Sequence, residues 1–399
     1  MLELSKVMDQ VNAMSLEIAR RQARYQELVN KARQALDAFD EVDDALRAKI
    51  ARAQEVDPTW RGAQPCDDRL NARFTPPPAE EEVSLIGVDG SQIYPNRHGP
   101  ALYYLINTGA IVLRQGSGEA PLVITRPQVF YTEDDLYDDN LNLLNAQTVN
   151  GLRESEEMRE LAHLAGAERS HWGGDLERLI LAMTDGPLLI WISEEEKSAA
   201  GEKAAQERVR AYLQQLQDIQ DSRAIPIGYV ARPRSANVLR LLHVAQLAEE
   251  EITKEAVRAS RYRALTDTTL FRDLQPHQRT ALFSSTAQVN KTFADSGQKI
   301  CFFYINIARD PGAPHIARVD IPEWAAKQPE MLDRVHRAIV RDCDGTNYPY
   351  VLIRAHELAL VTYHERQELE KMLNIAYMRL TGESLSSSIK EELKGELRR

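Results

Sequence analysis

The sequence predicts an α/β protein built on a mixed sheet flanked by helices, with a long helical arm at its N-terminus. Two apolar runs, 83–88 and 179–184, have the length and composition of buried strands. Helix-like segments alternate with further strands after the second run, which indicates a parallel part of the sheet. Short loops join the strands predicted over 83–131, which indicates an antiparallel part.

The arm comprises residues 1–57. Residues 6 to about 56 contain no glycine or proline, and their apolar residues recur at close to helical spacing, which predicts one long helix or a helical hairpin. Residues 58–82 are predicted to be a linker, because five prolines prevent a helix and three glutamates precede the first strand. The interpretation favoured for the arm is a coiled-coil or packing element.

Residues 83–380 are predicted to form a single α/β domain, and residues 381–399 a charged tail. The expected strands are 83–88, 101–106, 109–113, 121–131, 179–185, 225–230, 299–307 and 316–321. The expected helices are 145–168, 199–222, 235–252, 322–340 and 350–373. The last two strands are expected to pair across the Pro-Gly-Ala-Pro turn at 311–314.

Composition limits the possible functions. The chain has 399 residues, 43% of them hydrophobic, and a net charge of −11 that argues against a protein coating nucleic acid over its whole surface. A locally basic channel is compatible with that charge. No apolar run is long enough for a transmembrane span, and the first residues lack the pattern of a signal peptide. The three cysteines form no CxxC pair, so a reduced, cytoplasmic setting is expected.

Two aspartates lie at the ends of the predicted buried strands. Asp89 ends the first apolar run and Asp185 ends the second, and each is followed by glycine. An Asp-Gly pair is also a common turn, but apolar residues resume at 188–192 directly after Asp185, which favours a functional site there. A carboxylate at the end of a buried strand is costly to desolvate unless it is paired or holds a cation. The two aspartates therefore suggest a metal-dependent enzyme.

A third carboxylate is expected on the helix between these strands. Arg153 precedes Glu157 by four residues, so the two side chains share one face of that helix. The alternative is an exposed salt bridge, and the neighbouring acids, Glu156 and Glu160 among them, leave the choice of residue open. Two or three carboxylates suit a hard divalent cation such as Mg²⁺ or Mn²⁺.

His356 lies among apolar residues at helical spacing, so its side chain is expected to face protein, where a core histidine is the commoner outcome. As a ligand, its imidazole would bias a carboxylate site toward Mn²⁺ over Mg²⁺. Tyr348 precedes the same helix and is a candidate to position or protonate a phosphate oxygen.

Arg232 and Arg234 follow a predicted strand and precede a helix, a suitable position for contacts to phosphate, although a solvated face is the alternative. The sequence contains no P-loop, no GxGxxG motif and no nucleophile elbow. It therefore predicts no ATP or dinucleotide site of its own.

Several short motifs in order resemble the NurA nuclease family, over about residues 83–375. They are Gly87–Ser91, Asp185–Leu188, Leu265–Phe271 with Arg279–Phe283, Ile316–Pro322 and Tyr348–His356. The resemblance implies an RNase H-like core and Mn²⁺-dependent cleavage of DNA, with Mg²⁺ as a possible substitute. It also implies a homodimer that works with a HerA-type hexameric ATPase in DNA end resection.

The resemblance further implies that Asp89, Asp185, Tyr348 and His356 are catalytic, together with Glu157 as the helical glutamate. The aspartates, the glutamate and the histidine would be the metal ligands, and Glu156 and Glu160 remain alternatives for the glutamate. In this interpretation Arg232 and Arg234 would bind the DNA backbone. Two other hypotheses are a catalytically idle scaffold of the same fold that docks a partner, and a metal phosphohydrolase acting on small nucleotides.

Overall fold

The computed structural model describes residues 7–76, 82–138, 141–190 and 202–385. The helices in these ranges are α1 (Met8–Ala38), α2 (Asp44–Val56), α3 (Glu133–Leu136), α4 (Ala146–His171), α5 (Glu202–Asp221), α6 (Asn237–Ala245), α7 (Lys254–Arg258), α8 (Asp267–Leu270), α9 (Gln288–Asp295), α10 (Glu323–Ala326), α11 (Pro329–Asp342), α12 (Tyr350–Ala359) and α13 (Tyr363–Thr381). The strands are β1 (Ala63–Pro65), β2 (Arg73–Phe74), β3 (Val83–Ile93), β4 (Tyr104–Gln115), β5 (Leu122–Phe130), β6 (Leu179–Asp185), β7 (Ile225–Val230), β8 (Arg279–Thr280), β9 (Phe283–Ser285), β10 (Ile300–Asn306) and β11 (Ile316–Pro322). The predicted fold class, mixed β-structure flanked by helices after a helical arm, is confirmed.

The chain divides into two compact units. The first unit consists of Met1–Ala79, Gly186–Ile190 and Ile227–Tyr348, and the second of Glu80–Asp185, Trp191–Pro226 and Pro349–Arg399. Both units draw on residues 83–380, for which the sequence predicted one domain. Chain order alone does not reveal such a division, because each unit is assembled from segments far apart in sequence. The predicted tail lies outside the described residues from 386 onward.

In the first unit, the arm forms a helical hairpin rather than one long helix. Helix α1 ends at Ala38, and α2 begins after Asp43, whose Oδ1 accepts a hydrogen bond of 2.7 Å from the Leu46 amide. An N-cap carboxylate satisfies an amide that has no partner inside the helix, so the second helix has a defined start. Apolar side chains of both helices join one buried cluster with α6: Val29, Ala32, Leu36, Leu46, Ile50 and Ala53 from the arm, and Val238, Leu239, Leu241 and Leu242 from α6. The C-terminal half of the arm is therefore part of this unit's core.

The segment predicted as a linker contributes two short strands to the first unit. Strand β1 pairs antiparallel with β9, and β2 pairs antiparallel with β8. Strands of two or three residues are too short to give a periodic pattern in the sequence, so only their partners reveal them. The expected hairpin is confirmed, because β10 pairs antiparallel with β11 over its whole length, and β11 also pairs antiparallel with β7.

The second unit contains a mixed sheet in the order β5-β4-β3-β6. Strands β3, β4 and β5 are antiparallel neighbours, whereas β6 is parallel to β3. Helix α4 lies between β5 and β6 in the chain and provides the crossover that a parallel strand requires. The interior strand β3 is fully buried from Val83 to Val88, half-buried from Asp89 to Gln92, and buried again at Ile93. None of the described helices is long and apolar enough to cross a membrane.

Candidate active site

Two glycines bring helix α12 against the backbone of the second unit's sheet. A Cβ atom at Gly87 would lie 2.5 Å from the carbonyl oxygen of Val351, and one at Gly109 would lie 2.3 Å from the amide nitrogen of Ala359. Gly109 is the antiparallel partner of Asp89. Glycine inside a strand commonly marks such a close approach of another backbone. The two glycines therefore determine how near α12 can come to Asp89.

The C-terminal end of α12 is fixed to the sheet by hydrogen bonds to one carbonyl. Ser91 Oγ and Asn107 Nδ2 both donate to the carbonyl oxygen of Ala359, at 2.5 and 2.8 Å. The last carbonyls of a helix have no partner within it, so these side chains satisfy a group that would otherwise be unpaired. His356 stands one turn before this anchor and takes its position from it.

His356 and Asp89 form a hydrogen-bonded pair, with 2.7 Å between Nδ1 and Oδ2. The prediction that His356 faces the protein interior was wrong, because its side chain is 67% exposed. The buried face of α12 consists instead of Val351, Leu352, Ala355 and Ala359. An aspartate neighbour on another element, which the sequence pattern does not reveal, holds the imidazole at the surface.

Helix α4 brings its side chains to Gly90 on the opposite face of the sheet. Successive residues of a strand point to opposite faces, so Gly87 and Asp89 face α12 whereas Gly90 faces α4. A Cβ atom at Gly90 would lie 2.6 Å from Glu157 Oε1 and 2.9 Å from Arg153 Cγ. The absence of a side chain at position 90 is therefore what lets Glu157 reach the strand.

The guanidinium group of Arg153 interacts with Glu157 and also lies near Asp89, whose side chain faces the other side of the sheet. Its Nη1 donates to Glu157 Oε1 and to the carbonyl oxygen of Gly90, the latter at 3.3 Å. The same nitrogen lies 4.0 Å from Asp89 Oδ1. The predicted i, i+4 pair of Arg153 and Glu157 is thus present, and it lies beside the strand rather than in solvent.

Burial raises the pKa of Glu157 to about 8. Its side chain is only 11% exposed, and removal from water disfavours the charged form of a carboxyl group. The charge of Arg153 opposes this effect and lowers the pKa, while the charge of Asp89 raises it further. An additional positive charge nearby would stabilise the ionised form of this buried carboxyl group.

The other candidate glutamates have different partners. Glu156 pairs with Arg159, and Glu160 accepts a hydrogen bond of 2.8 Å from Arg126 Nε. Neither contacts Gly90, whereas Glu157 does. The geometry therefore favours Glu157 among the alternatives that the sequence left open.

Asp185 is the last residue of β6. The parallel register pairs Val88 with Thr184, so the next residues along the two strands, Asp89 and Asp185, are neighbours at the same end of the sheet. Asp185 is exposed, in contrast to the buried residues that precede it on the strand. Strand β3, which continues to Ile93, and the end of β6 thus present two adjacent carboxylates.

The chemistry of these donors suits a hard cation, since Asp89, Glu157 and Asp185 offer carboxylate oxygens and His356 offers an imidazole nitrogen. Across the described ranges, no group of three or more His, Cys, Asp or Glu side chains stands close enough together to share one ion. The donors are engaged in pairs instead, Glu157 with Arg153 and Asp89 with His356.

The remaining predicted residues lie in the first unit, where Arg232, Arg234 and Tyr348 line one cavity. The Tyr348 ring packs edge-on against Tyr229, with 5.3 Å between the ring centroids. Arg272 lines the same cavity and was not singled out from the sequence. It follows a Thr-Asp-Thr-Thr segment with no charge pattern of its own, so only the fold associates it with the other two arginines.

Comparison with known proteins identifies the class of this chain. A family model, the NurA domain, matches residues 83–361, which is well over half of the chain. The protein therefore belongs to the NurA family of nucleases, and the resemblance inferred from the motifs is confirmed.

Two solved structures are similar to this chain at low sequence identity. The NurA nuclease from Sulfolobus solfataricus is 12% identical, with a TM-score of 0.48, and the match covers 95% of this chain and 98% of that one. The catalytic domain of human endonuclease V is 15% identical, with a TM-score of 0.29, covering 87% and 97%. No curated protein matches this sequence.

Proposed function

We propose that this protein is a deoxyribonuclease that depends on a divalent cation, Mn²⁺ in the first place with Mg²⁺ as a substitute. The observation that carries the proposal is the position of three carboxyl groups near Asp89 and Gly90 of β3 and the end of β6. Asp89 and Asp185 are neighbours there, and the buried carboxyl group of Glu157 lies against Gly90. Family membership supports nuclease chemistry for such a centre.

Asp89, Glu157 and Asp185 would hold the cation, together with His356. A bound divalent cation lowers the pKa of a water molecule and stabilises the negative charge that develops on a phosphate during hydrolysis. Arg153 has a supporting role, because its hydrogen bonds orient the carboxyl group of Glu157 beside the strand. Its positive charge also lowers the pKa of Glu157 and so favours the ionised form that a cation requires.

His356 contributes one nitrogen to the reaction. A carboxylate only accepts hydrogen bonds, so the contact with Asp89 requires the proton of a neutral imidazole on Nδ1. Nε2 carries no proton in this tautomer and would therefore ligate the cation or accept a proton from a reacting group. A carboxylate that accepts from one ring nitrogen commonly orients the other toward a metal in this way. Tyr348 is proposed to position a phosphate oxygen.

DNA is the proposed substrate, and Arg232 and Arg234 are proposed to bind its backbone phosphates. Contacts of this kind position a strand without reading its sequence. Action in DNA end resection as a homodimer with a HerA-type ATPase belongs to the same proposal, and its support is membership of the NurA family.

The test uses end-labelled single-stranded and double-stranded DNA with Mn²⁺, Mg²⁺ or EDTA. We expect metal-dependent cleavage by the wild-type protein and none by Asp89→Asn or Glu157→Gln. Glu160→Gln is the matched control, because Glu160 is a buried acid of the same helix that pairs with Arg126 instead. Cleavage by Asp89→Asn at the wild-type rate would overturn the proposed centre, and loss in Glu160→Gln alone would reassign the glutamate.

A second readout does not depend on catalysis. Mn²⁺ should raise the melting temperature of the wild-type protein, since a ligand that binds only the folded state stabilises it. The increase should be much smaller in Asp89→Asn. An equal increase in both proteins would argue against a cation at Asp89 even if the wild-type protein cleaves DNA.

A further inference from the structure

A cavity of about 680 Å³ lies within the first unit and has an unusual charge for this chain. Arg232, Arg234, Arg272 and His315 line it, and none of the lining residues is Asp or Glu. The whole chain carries 60 acidic and 49 basic residues, so a cavity with three arginines and no carboxylate departs sharply from the average. Such a concentration of positive charge raises the local concentration of anions.

The three arginines have no ionic partner among the described residues, and two acids close to the lining residues in sequence pair with other arginines. Asp273, next to Arg272, lies 3.9 and 3.8 Å from the guanidinium nitrogens of Arg33 and Arg73. Asp344 pairs with Arg309. The guanidinium groups of the cavity therefore keep their hydrogen-bond donors available for a ligand.

Asp267, which lies in sequence between the cavity-lining residues Thr266 and Thr268, also has hydrogen-bond partners of its own. Asp267 is completely buried and accepts hydrogen bonds from the amides of Val238 and Leu239, at 3.1 and 3.0 Å. Tyr304 Oη donates to the same carboxyl group at 2.8 Å. Asp267 is therefore not part of the cavity lining, and its carboxyl group is bonded to other partners.

The cavity also has an apolar side. Ile307, Pro314, Ile316 and the ring of Tyr348 contribute to its lining. The edge-on contact with Tyr229 holds the Tyr348 ring in place. A cationic region beside an aliphatic and aromatic surface matches a ligand with an anionic group attached to a flat, weakly polar ring system, because bases stack on aromatic side chains.

We infer that this cavity binds the terminal phosphate monoester of a nucleotide, together with the nucleoside that carries it. The volume falls within the range of about 300–1,000 Å³ that small-molecule sites occupy. A phosphate monoester carries about −1.5 to −2 charges at neutral pH, whereas each phosphodiester of a DNA backbone carries −1. Three unpaired arginines suit the former, since guanidinium groups bind phosphate oxygens through paired hydrogen bonds.

The choice of a nucleotide rests on the proposed function, whereas the binding of a phosphate monoester rests on the cavity alone. Two sources present this chemistry, a free mononucleotide released by cleavage and the 5′-phosphate at the end of a DNA strand. Both are probed in EDTA, so that no cleavage accompanies binding.

The experiment measures binding of deoxyadenosine 5′-monophosphate, deoxyadenosine, and one oligonucleotide with either a 5′-phosphate or a 5′-hydroxyl. We expect the phosphorylated member of each pair to bind at least about tenfold more tightly. The preference should fall by about tenfold in Arg234→Ala and in Arg272→Ala. Arg263→Ala is the matched control, because Arg263 is an exposed arginine of the same unit outside the cavity lining.

Preference for the mononucleotide alone would identify a free nucleotide as the ligand, and preference for both phosphorylated probes would identify strand ends. Equal binding of phosphorylated and unphosphorylated probes would overturn the inference, as would equal losses in Arg263→Ala and Arg272→Ala. A protein that shows the preference but never cleaves DNA would refute the proposed nuclease function while leaving this inference intact. A protein that cleaves DNA but shows no preference for phosphorylated probes would refute this inference and leave the proposed nuclease function intact.

Discussion

The hydrogen bond of 2.7 Å between Asp89 Oδ2 and His356 Nδ1 links strand β3 to helix α12 across 267 residues of sequence. The aspartate is 16% exposed and the histidine 67%, so the pair spans the boundary between protein and solvent. Exposure of the imidazole means that its packing contributes little to stability. The exposed pair therefore agrees with the role proposed for His356 beside Asp89.

Replacement of His356 by alanine should reduce DNA cleavage without destabilising the protein. Proton transfer by a positioned side chain typically contributes about 10²–10⁴-fold to a rate, so a loss of at least about 100-fold in kcat is expected. The melting temperature should change little, because the side chain is mostly exposed. Initial rates on labelled DNA and thermal unfolding provide the two measurements.

His364→Ala is the control for this prediction, since His364 is an exposed histidine near the start of α13. It should retain the wild-type rate. A similar loss of activity in both variants would show that the effect of His356→Ala is not specific to the contact with Asp89.

Replacement of Gly90 by alanine should lower the activity while leaving the stability of the protein nearly unchanged. The atoms that it would meet, at 2.6 Å and 2.9 Å, are Glu157 Oε1 and Arg153 Cγ, which belong to flexible side chains. Both side chains can move aside at little cost, but Glu157 then leaves its place beside the strand. Gly90→Ala should therefore lower cleavage by about 100-fold, since a displacement of about 1 Å can cost this much, while the melting temperature stays near that of the wild-type protein.

Gly166→Ala, on the same helix as Glu157, serves as the comparison. Its new methyl group would meet only Ser222 Oγ, at 3.5 Å, and alanine is a better helix former than glycine. Full activity with equal or slightly higher stability is expected. An active Gly90→Ala variant would mean that Glu157 need not lie beside β3 for catalysis.

The positions of Asp89 and Asp185 were predictable because each residue ends a continuous apolar run of the sequence. Asp89 follows the fully buried part of β3 and Asp185 ends β6, and strand segments that are buried on both faces appear in the sequence as uninterrupted apolar segments. The same reasoning recovered strands β10 and β11 and the turn between them. The local sequence pattern is therefore sufficient to predict a strand whose residues are uniformly buried.

Contacts between distant segments were not predictable in this way. The segment expected as one helix over 350–373 is interrupted after Ala359, and Thr362 caps the next helix by accepting from the Glu365 amide. This break leaves α12 short, and its register on Gly87 and Gly109 sets the position of His356. Neither glycine lies in a turn motif, so the sequence gives no sign that each accommodates a helix backbone.

Alanine at Gly109 should destabilise the protein, in contrast to alanine at Gly90. The new Cβ would lie 2.3 Å from the backbone nitrogen of Ala359 and 2.7 Å from the carbonyl oxygen of Ala355, and helix backbone cannot move aside as a side chain can. A loss of about 1–3 kcal/mol is typical when groups are forced into a packed interior. Urea unfolding of Gly109→Ala and Gly90→Ala measures the difference, and equal stability of the two variants would contradict the close packing of α12 on β4.

The buried imidazole of His336 on α11 should make stability depend on pH. Burial and the charge of Arg279 lower the pKa of His336 from near 6.5 to about 3, even though the hydrogen bond of 2.7 Å to the carbonyl oxygen of His277 opposes the change. Between these two pH values the unfolded chain binds a proton that the folded protein does not. The stability due to the neutral imidazole is therefore complete above pH 6.5 and is lost as the pH falls toward 3.

The measurement compares urea unfolding of the wild-type protein and His336→Gln at intervals from pH 7.5 to pH 4.5, in which glutamine keeps a donor for the His277 carbonyl. The wild-type protein should lose stability relative to the variant by up to about 1.4 kcal/mol for each pH unit below 6.5. His364→Gln, at an exposed position, should follow the wild-type curve. A stability difference between wild type and His336→Gln that is independent of pH would mean that His336 titrates alike in the folded and unfolded states.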